Sequence, residues 1–179
     1  MTAVSASLKP LTVEEFLAWE RAQDLRYEFD GIQPVGMTGR SRAHSRTQTR
    51  LVIALGNRVA APCEVHGSEL KVVTATRVRY PDASVVCSDR QAEPDVIEPT
   101  AVFEVLSPSS ALTDRRVKPP DYASVPSITV YGLLEADHPE VTIMRRSAGW
   151  EPESFAALDA VVPLPEIGVN LPLAAIYQR

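Results

Sequence analysis

The run Ala-Val-Phe-Glu-Val-Leu at 101–106 constrains this chain more than any other feature. It has the length and the near-continuous hydrophobicity of a strand buried on both faces at the centre of a sheet. Glu104 sits in the middle of it. A carboxylate is rarely buried unless it is paired or bound to a metal, so a fold built round this strand must supply Glu104 with a cation. A buried ion pair would suffice. A second carboxylate sharpens the reading. Asp82 follows Pro81 and precedes the strand-like Ala-Ser-Val-Val-Cys. Alone, Pro-Asp is an ordinary strand start. Asp82 and Glu104, 22 residues apart on candidate neighbouring strands, suggest a divalent-metal site instead. Two carboxylates brought close repel each other, and a Mg²⁺ ion between them removes that cost. Glu28, in Tyr-Glu-Phe, is a third carboxylate in a strand-like context.

The other elements follow from local signals. Thr12 and Glu15 have capping-box spacing, and Phe16 and Trp19 share one face of a helix reaching about Gln23. Asp30-Gly31 turns a strand at 27–29 into a second one at 32–37. Leu51, Val52, Leu55 and Val59 recur at helical spacing and predict a helix over 41–60. Strands are expected at 63–73, 77–87, 101–106, 128–135, 141–146 and 150–155, with a short helix within 111–125. The last 20 residues read as irregular chain across the body, and residues 1–10 as a flexible tail. The order αββαβββαβββ predicts a single α/β domain over 1–179, a mixed sheet flanked by helices.

Charge is segregated. No acidic residue occurs from Gly31 to Cys63, while Arg40, Arg42, Arg46, Arg50 and Arg58 do. The net charge is −5, so the rest of the chain carries −10. Arg42, Arg46 and Arg50 form one stripe on the 41–60 helix. A solvated face is the plain explanation, but without acidic partners at i+4 a phosphate-binding surface is as good. His44 and Gln48 fall on the apolar side of the same helix. They are either a hydrogen-bonded pair at the core edge or residues aimed into a polar site.

Together these residues resemble a family. Tyr27-Glu28 before Asp30-Gly31, His44 in the next helix, Pro81-Asp82, and Glu104-Val105-Leu106-Ser107-Pro108-Ser109 resemble the bacterial Uma-type restriction endonuclease domain, within the PD-(D/E)xK nuclease superfamily. Leu11 to Phe16 and Leu171 to Tyr177 resemble it too, so the match spans nearly the whole chain. The resemblance implies a restriction-endonuclease-like fold with Asp82 and Glu104 as ligands of Mg²⁺ or Mn²⁺, the Val105 carbonyl as a further oxygen, and Glu28 and His44 at the same site. It also implies a Mg²⁺-dependent DNA endonuclease. The superfamily lysine would stand where this chain has Leu106; the Uma type supplies it from the next helix, which here means Lys118, with Tyr122 four residues on. Pro119-Pro120 departs from that pattern. Proline disfavours the α conformation just before it, so Lys118 is expected at a helix start or outside it, and the protein to be a weak nuclease at best. Lys71 is the next candidate should cleavage need Glu104 but not Lys118.

Two rival functions follow from the same residues: a nuclease fold that binds nucleic acid or a partner without cleaving, and a plain interaction module. The net charge excludes a wholly basic nucleic-acid coat. No run of 18 apolar residues exists to span a membrane, and the start lacks a signal-peptide pattern, so the cytoplasm is expected. Cys63 and Cys87 lie in apolar runs and read as buried thiols. The assembly, monomer or homodimer, stays open, as does the DNA sequence recognised.

Overall fold

A computed structural model describes residues 11–37, 39–88, 94–107 and 111–178. The expected tail at 1–10 and the 108–110 part of the Ser-Pro-Ser-Ser break lie outside them. The architecture is a mixed α/β fold, as expected. Its centre is a six-stranded sheet ordered β10-β9-β8-β7-β6-β3. The strands are β3 (Glu64–His66), β6 (Ala83–Val86), β7 (Ala101–Val105), β8 (Val130–Leu134), β9 (Glu140–Arg145) and β10 (Pro152–Ala156). Only β7 and β8 run parallel, joined by a crossover that carries helices α3 (Ala111–Arg116) and α4 (Lys118–Ala123). A parallel pair needs such a crossover.

Every residue of β7 and β8 is buried, which accounts for their apolar sequences. Alternation then assigns the faces. Ala101, Phe103 and Val105 point into a core shared with Leu51 and Leu55 of helix α2 (Arg42–Gly56). Val102 and Leu106 point the other way, with Tyr122 and Tyr131. Glu104 alternates with Phe103. At Gly132 the two strands come very close: a Cβ there would lie 2.4 Å from Phe103 Cδ1. Only glycine fits beneath that ring.

A second sheet, ordered β2-β1-β5-β4, holds β1 (Tyr27–Phe29), β2 (Pro34–Gly36), β4 (Val72–Val73) and β5 (Val78–Arg79). Helix α1 (Val13–Glu20) covers it, with Phe16 stacked on Phe29. The capping box that starts α1 is complete: Thr12 Oγ1 accepts from the Glu15 N–H, and Glu15 Oε2 from the Thr12 N–H. Asp30 Oδ1 accepts from the Ile32 and Gln33 N–H groups, and Gly31 takes the positive φ of 94° that turns β1 into β2.

Several expectations are corrected. Helix α1 ends at Glu20 and α2 at Gly56, short of Gln23 and residue 60. The long strand-like stretches at 63–73 and 77–87 each break into two short strands, because β4 and β5 belong to the second sheet. The last 20 residues are not irregular. They form a hairpin of β11 (Val161–Leu164) and β12 (Val169–Pro172), then helix α5 (Ala174–Tyr177). Val162, Leu164, Val169 and Leu171 alternate into the α2 side of the core, and prolines sit at outward or edge positions of a two-stranded ribbon. Cys63 and Cys87 are not free thiols but a disulfide, because β3 and β6 pair Glu64 with Val86 and bring their neighbours face to face. No helix among the described residues is long and apolar enough to cross a membrane.

Candidate active site

The β6–β7 register, Ala83 opposite Phe103, sets Asp82 opposite Glu104 at the end of the pair. Asp82 Oδ2 accepts the Val105 N–H at 2.8 Å and meets His44 Nε2 at 3.0 Å. The Asp82 carbonyl accepts from Gln48 Nε2 at 2.9 Å. Both inward polar residues of α2 therefore converge on one aspartate. His44 is fully buried, and among the described residues its Nδ1 has no partner; the tautomer with the proton on Nε2 donates it to Asp82.

Glu104 is buried, and its Oε1 accepts from both Lys118 Nζ and Tyr122 OH, each at 2.7 Å. Burial, opposed by the Lys118 charge but helped by Asp82, Asp114 and Glu28, pushes its carboxyl up to about 8. Burial works against the Lys118 charge as well. The Glu104, Glu28 and Asp114 carboxylates outweigh it and hold the ammonium above its ordinary pKa. Lys118 Nζ lies 3.6 Å from Glu28 Oε1 and 3.1 Å from Asp114 Oδ1, the latter without the alignment of a hydrogen bond.

Pro119 and Pro120 do not displace the lysine. They occupy the first turn of α4, where backbone N–H groups have no intrahelical acceptor and proline's fixed φ suits the helix. Lys118 is the first residue of that helix, so the α restriction before a proline falls at its edge. The side chain reaches the carboxylates.

Four partners escaped the sequence reading. Arg79 Nη1 meets Glu28 Oε2 at 3.1 Å, and its Nε and Nη2 reach Asp121 Oδ2 at 3.1 and 2.8 Å. Arg77 donates to the other Asp121 oxygen. Asp114 stands four residues before Lys118, a spacing that was visible; Arg79, a cation inside a short strand, carried the same signal as Glu104. Lys71 lies in a different cluster, with Glu20, Asp95 and Tyr80.

The arginine stripe divides. Arg42 and Arg46 are exposed. Arg50 is not free: its Nη1 donates to the Ile176 carbonyl at 3.2 Å and the Gln178 carbonyl at 2.7 Å, tying α2 to the end of α5. A cavity of about 360 Å³ opens beyond the end of β7, lined by Leu106, Ser107, Ser41, Ala43, Glu135 and Asp137.

Among the described residues no three His, Cys, Asp or Glu side chains form a metal cage. The donor set fits a more open arrangement. Asp82 Oδ1 and Glu104 Oε2 take no hydrogen bond from the described residues, while their other oxygens are held. Two carboxylate oxygens completed by water and substrate suit Mg²⁺, which keeps much of its hydration.

A mixed sheet flanked by helices, with Asp82 and Glu104 at the end of its central strands and Lys118 reaching Glu104 from the crossover helix, is a restriction-endonuclease-like fold. The family model "Uma2: Putative restriction endonuclease" matches residues 13–174, so the chain belongs to that family. It is 32% identical to the "Uncharacterized protein slr1290" of Synechocystis sp., an alignment covering 97% of this chain and 95% of the relative. It is also similar in fold to the crystal structure of "a putative nuclease belonging to DUF820" from Anabaena variabilis, with a TM-score of 0.76 at 21% identity, covering 94% and 98% of the two chains.

Proposed function

We propose that this chain is a Mg²⁺-dependent DNA endonuclease that hydrolyses phosphodiester bonds, with the whole chain acting as one domain. The observation that carries the reading is the shared oxygen of Glu104. Lys118 and Tyr122 both bind Oε1, which leaves Oε2 for a cation, on the residue that the register sets opposite Asp82. A divalent ion held by Asp82, Glu104 and the Val105 carbonyl, with Mn²⁺ as a substitute, would polarise the phosphate and lower the pKa of a bound water.

The protein's own groups do the rest. Lys118 orients the attacking water and offers positive charge to the pentacoordinate phosphorus. Water adds to phosphorus and releases a proton to solvent, the P–O ester bond breaks, and the leaving oxygen takes a proton from solvent. His44 and the Val105 N–H fix Asp82; Tyr122 fixes Glu104. Arg79 holds Glu28 against the lysine. Arg42 and Arg46 steady neighbouring phosphates.

The binding-only alternative leaned on a lysine displaced by prolines; a lysine 2.7 Å from Glu104 weakens it. The test is plasmid nicking with Mg²⁺ and Mn²⁺, comparing wild type with Glu104→Ala and Lys118→Ala. Cleavage lost in both variants supports the reading. No cleavage by wild type with either metal would leave binding without catalysis as the better account.

A further inference from the structure

The β1–β2 hairpin carries an apolar rim that the nuclease reading does not use. Val35 lies directly opposite Glu28 in the register. Cross-strand partners share a face, so Val35 stands on the side where Glu28 meets Arg79 and Lys118. Met37 is two residues on and shares that face by alternation; its N–H donates to the Arg26 carbonyl. Ile32 sits at the turn. The three are 43%, 36% and 66% exposed. The chain then passes through Arg40 to Ser41, the cap of α2, and to the exposed Arg42 and Arg46. Solvent-facing apolar side chains thus share the Glu28 face of the hairpin and are followed along the chain by guanidinium groups that form no ion pair among the described residues.

The occupant of this surface has to offer negative charge and apolar faces together. Phosphates with the faces of bases at an opened step do so. A second copy of the chain does not. A two-fold contact through the hairpin would bring Arg42 and Arg46 towards their own images, and no acidic residue from Gly31 to Cys63 answers them. Edge pairing through β2 is poor as well, since the strand has three residues and one is Pro34.

We propose that Ile32, Val35 and Met37 form a wedge that packs against the base steps of duplex DNA while Arg42 and Arg46 hold the flanking phosphates. Apolar side chains pressed between base steps are a known means of seating protein on a duplex. The wedge rests on the nuclease reading and adds to it a contact with bases rather than backbone.

The test is fluorescence anisotropy of a labelled duplex with the full chain, without Mg²⁺, over a series of salt concentrations. The variant is Ile32→Ser/Val35→Thr/Met37→Gln; Met37→Gln alone serves if the triple variant melts early. The triple variant should bind on the order of tenfold more weakly with an unchanged salt slope, because apolar contacts release no counterions. Met37→Gln alone should weaken binding less, again at constant slope. Arg42→Ala/Arg46→Ala should instead flatten the slope by about 0.9 for each phosphate no longer neutralised. Wild-type affinity in the variant overturns the wedge and leaves the nuclease reading standing. No duplex binding by wild type overturns both. A variant that changes oligomeric state by light scattering, or weakens only single-stranded DNA, also overturns the wedge.

Discussion

Among the described residues two lysines are buried, each against carboxylates and a tyrosine, and the two settings differ in one respect. Around Lys71 the pairing closes. Its Nζ meets Glu20 Oε2 and Asp95 Oδ2, both at 2.7 Å, while Tyr80 OH and the Tyr27 N–H fill the other Glu20 oxygen. Burial opposes the Lys71 charge, but Asp95 and Glu20 outweigh it. Around Lys118 the pairing stays open. One ammonium faces Glu104, Glu28 and Asp114, with Asp82 opposite, and one oxygen each of Asp82, Glu104 and Asp114 takes no hydrogen bond from the described residues. A buried lysine is therefore no mark of catalysis. An excess of buried negative charge with unused lone pairs, beside that lysine, is what supports the proposed cation and substrate there.

Matched substitutions separate the two clusters. Lys71→Met strands Glu20 and should cost about 3–5 kcal/mol of stability, yet leave cleavage per folded molecule unchanged; thermal melts and nicking assays on one preparation read both. Lys118→Met should lower cleavage by on the order of 100-fold or more, the scale of losing one preorganised donor. Equal activity losses in the two variants would erase the distinction. Divalent metal should divide them again. Mg²⁺ at about 100 times its Kd should stabilise wild type and Lys71→Met by about 2.7 kcal/mol and leave Asp82→Ala unmoved in a thermal-shift titration. The tyrosines give a smaller, parallel contrast, since each donates to a glutamate at 2.7 Å. Tyr80→Phe should lose about 2 kcal/mol of stability; Tyr122→Phe should show its loss in kcat as well. Smallest is Arg50→Ala, expected to cost about 1 kcal/mol through the α5 carbonyls without changing the salt dependence of DNA binding.

Local patterns announced most of the frame. Thr12 and Glu15, Asp30-Gly31, and the 101–106 run each name their element, because capping, turn and burial preferences act within a few residues. Glu104, His44 and Gln48 were legible for a related reason: polar groups on apolar faces need partners, and in the structure His44 and Gln48 both find Asp82. What stayed hidden depends on distant pairing. The Cys63–Cys87 bond needs the β3–β6 register. The 161–172 hairpin is masked by its own prolines, which read as loop until an edge position is found for them. The 119–120 proline pair misled in the opposite direction, since its effect turns on whether it falls at the first turn of a helix or inside one. Asp121 and Arg79, 42 residues apart, meet only through the fold.

Gly132 shows how far a site's requirements reach into residues that touch no substrate. Phe103 lies across it with no room for even one methyl group, and Phe103 is the immediate neighbour of Glu104. Any side chain at 132 must push the ring away and tilt the peptide that aims the carboxylate. In a library of random variants selected for cleavage, position 132 should tolerate as little as position 104, though glycine brings no reactive group. A map of selective constraint would mark both in the same colour, one for its chemistry and the other for the space it leaves empty.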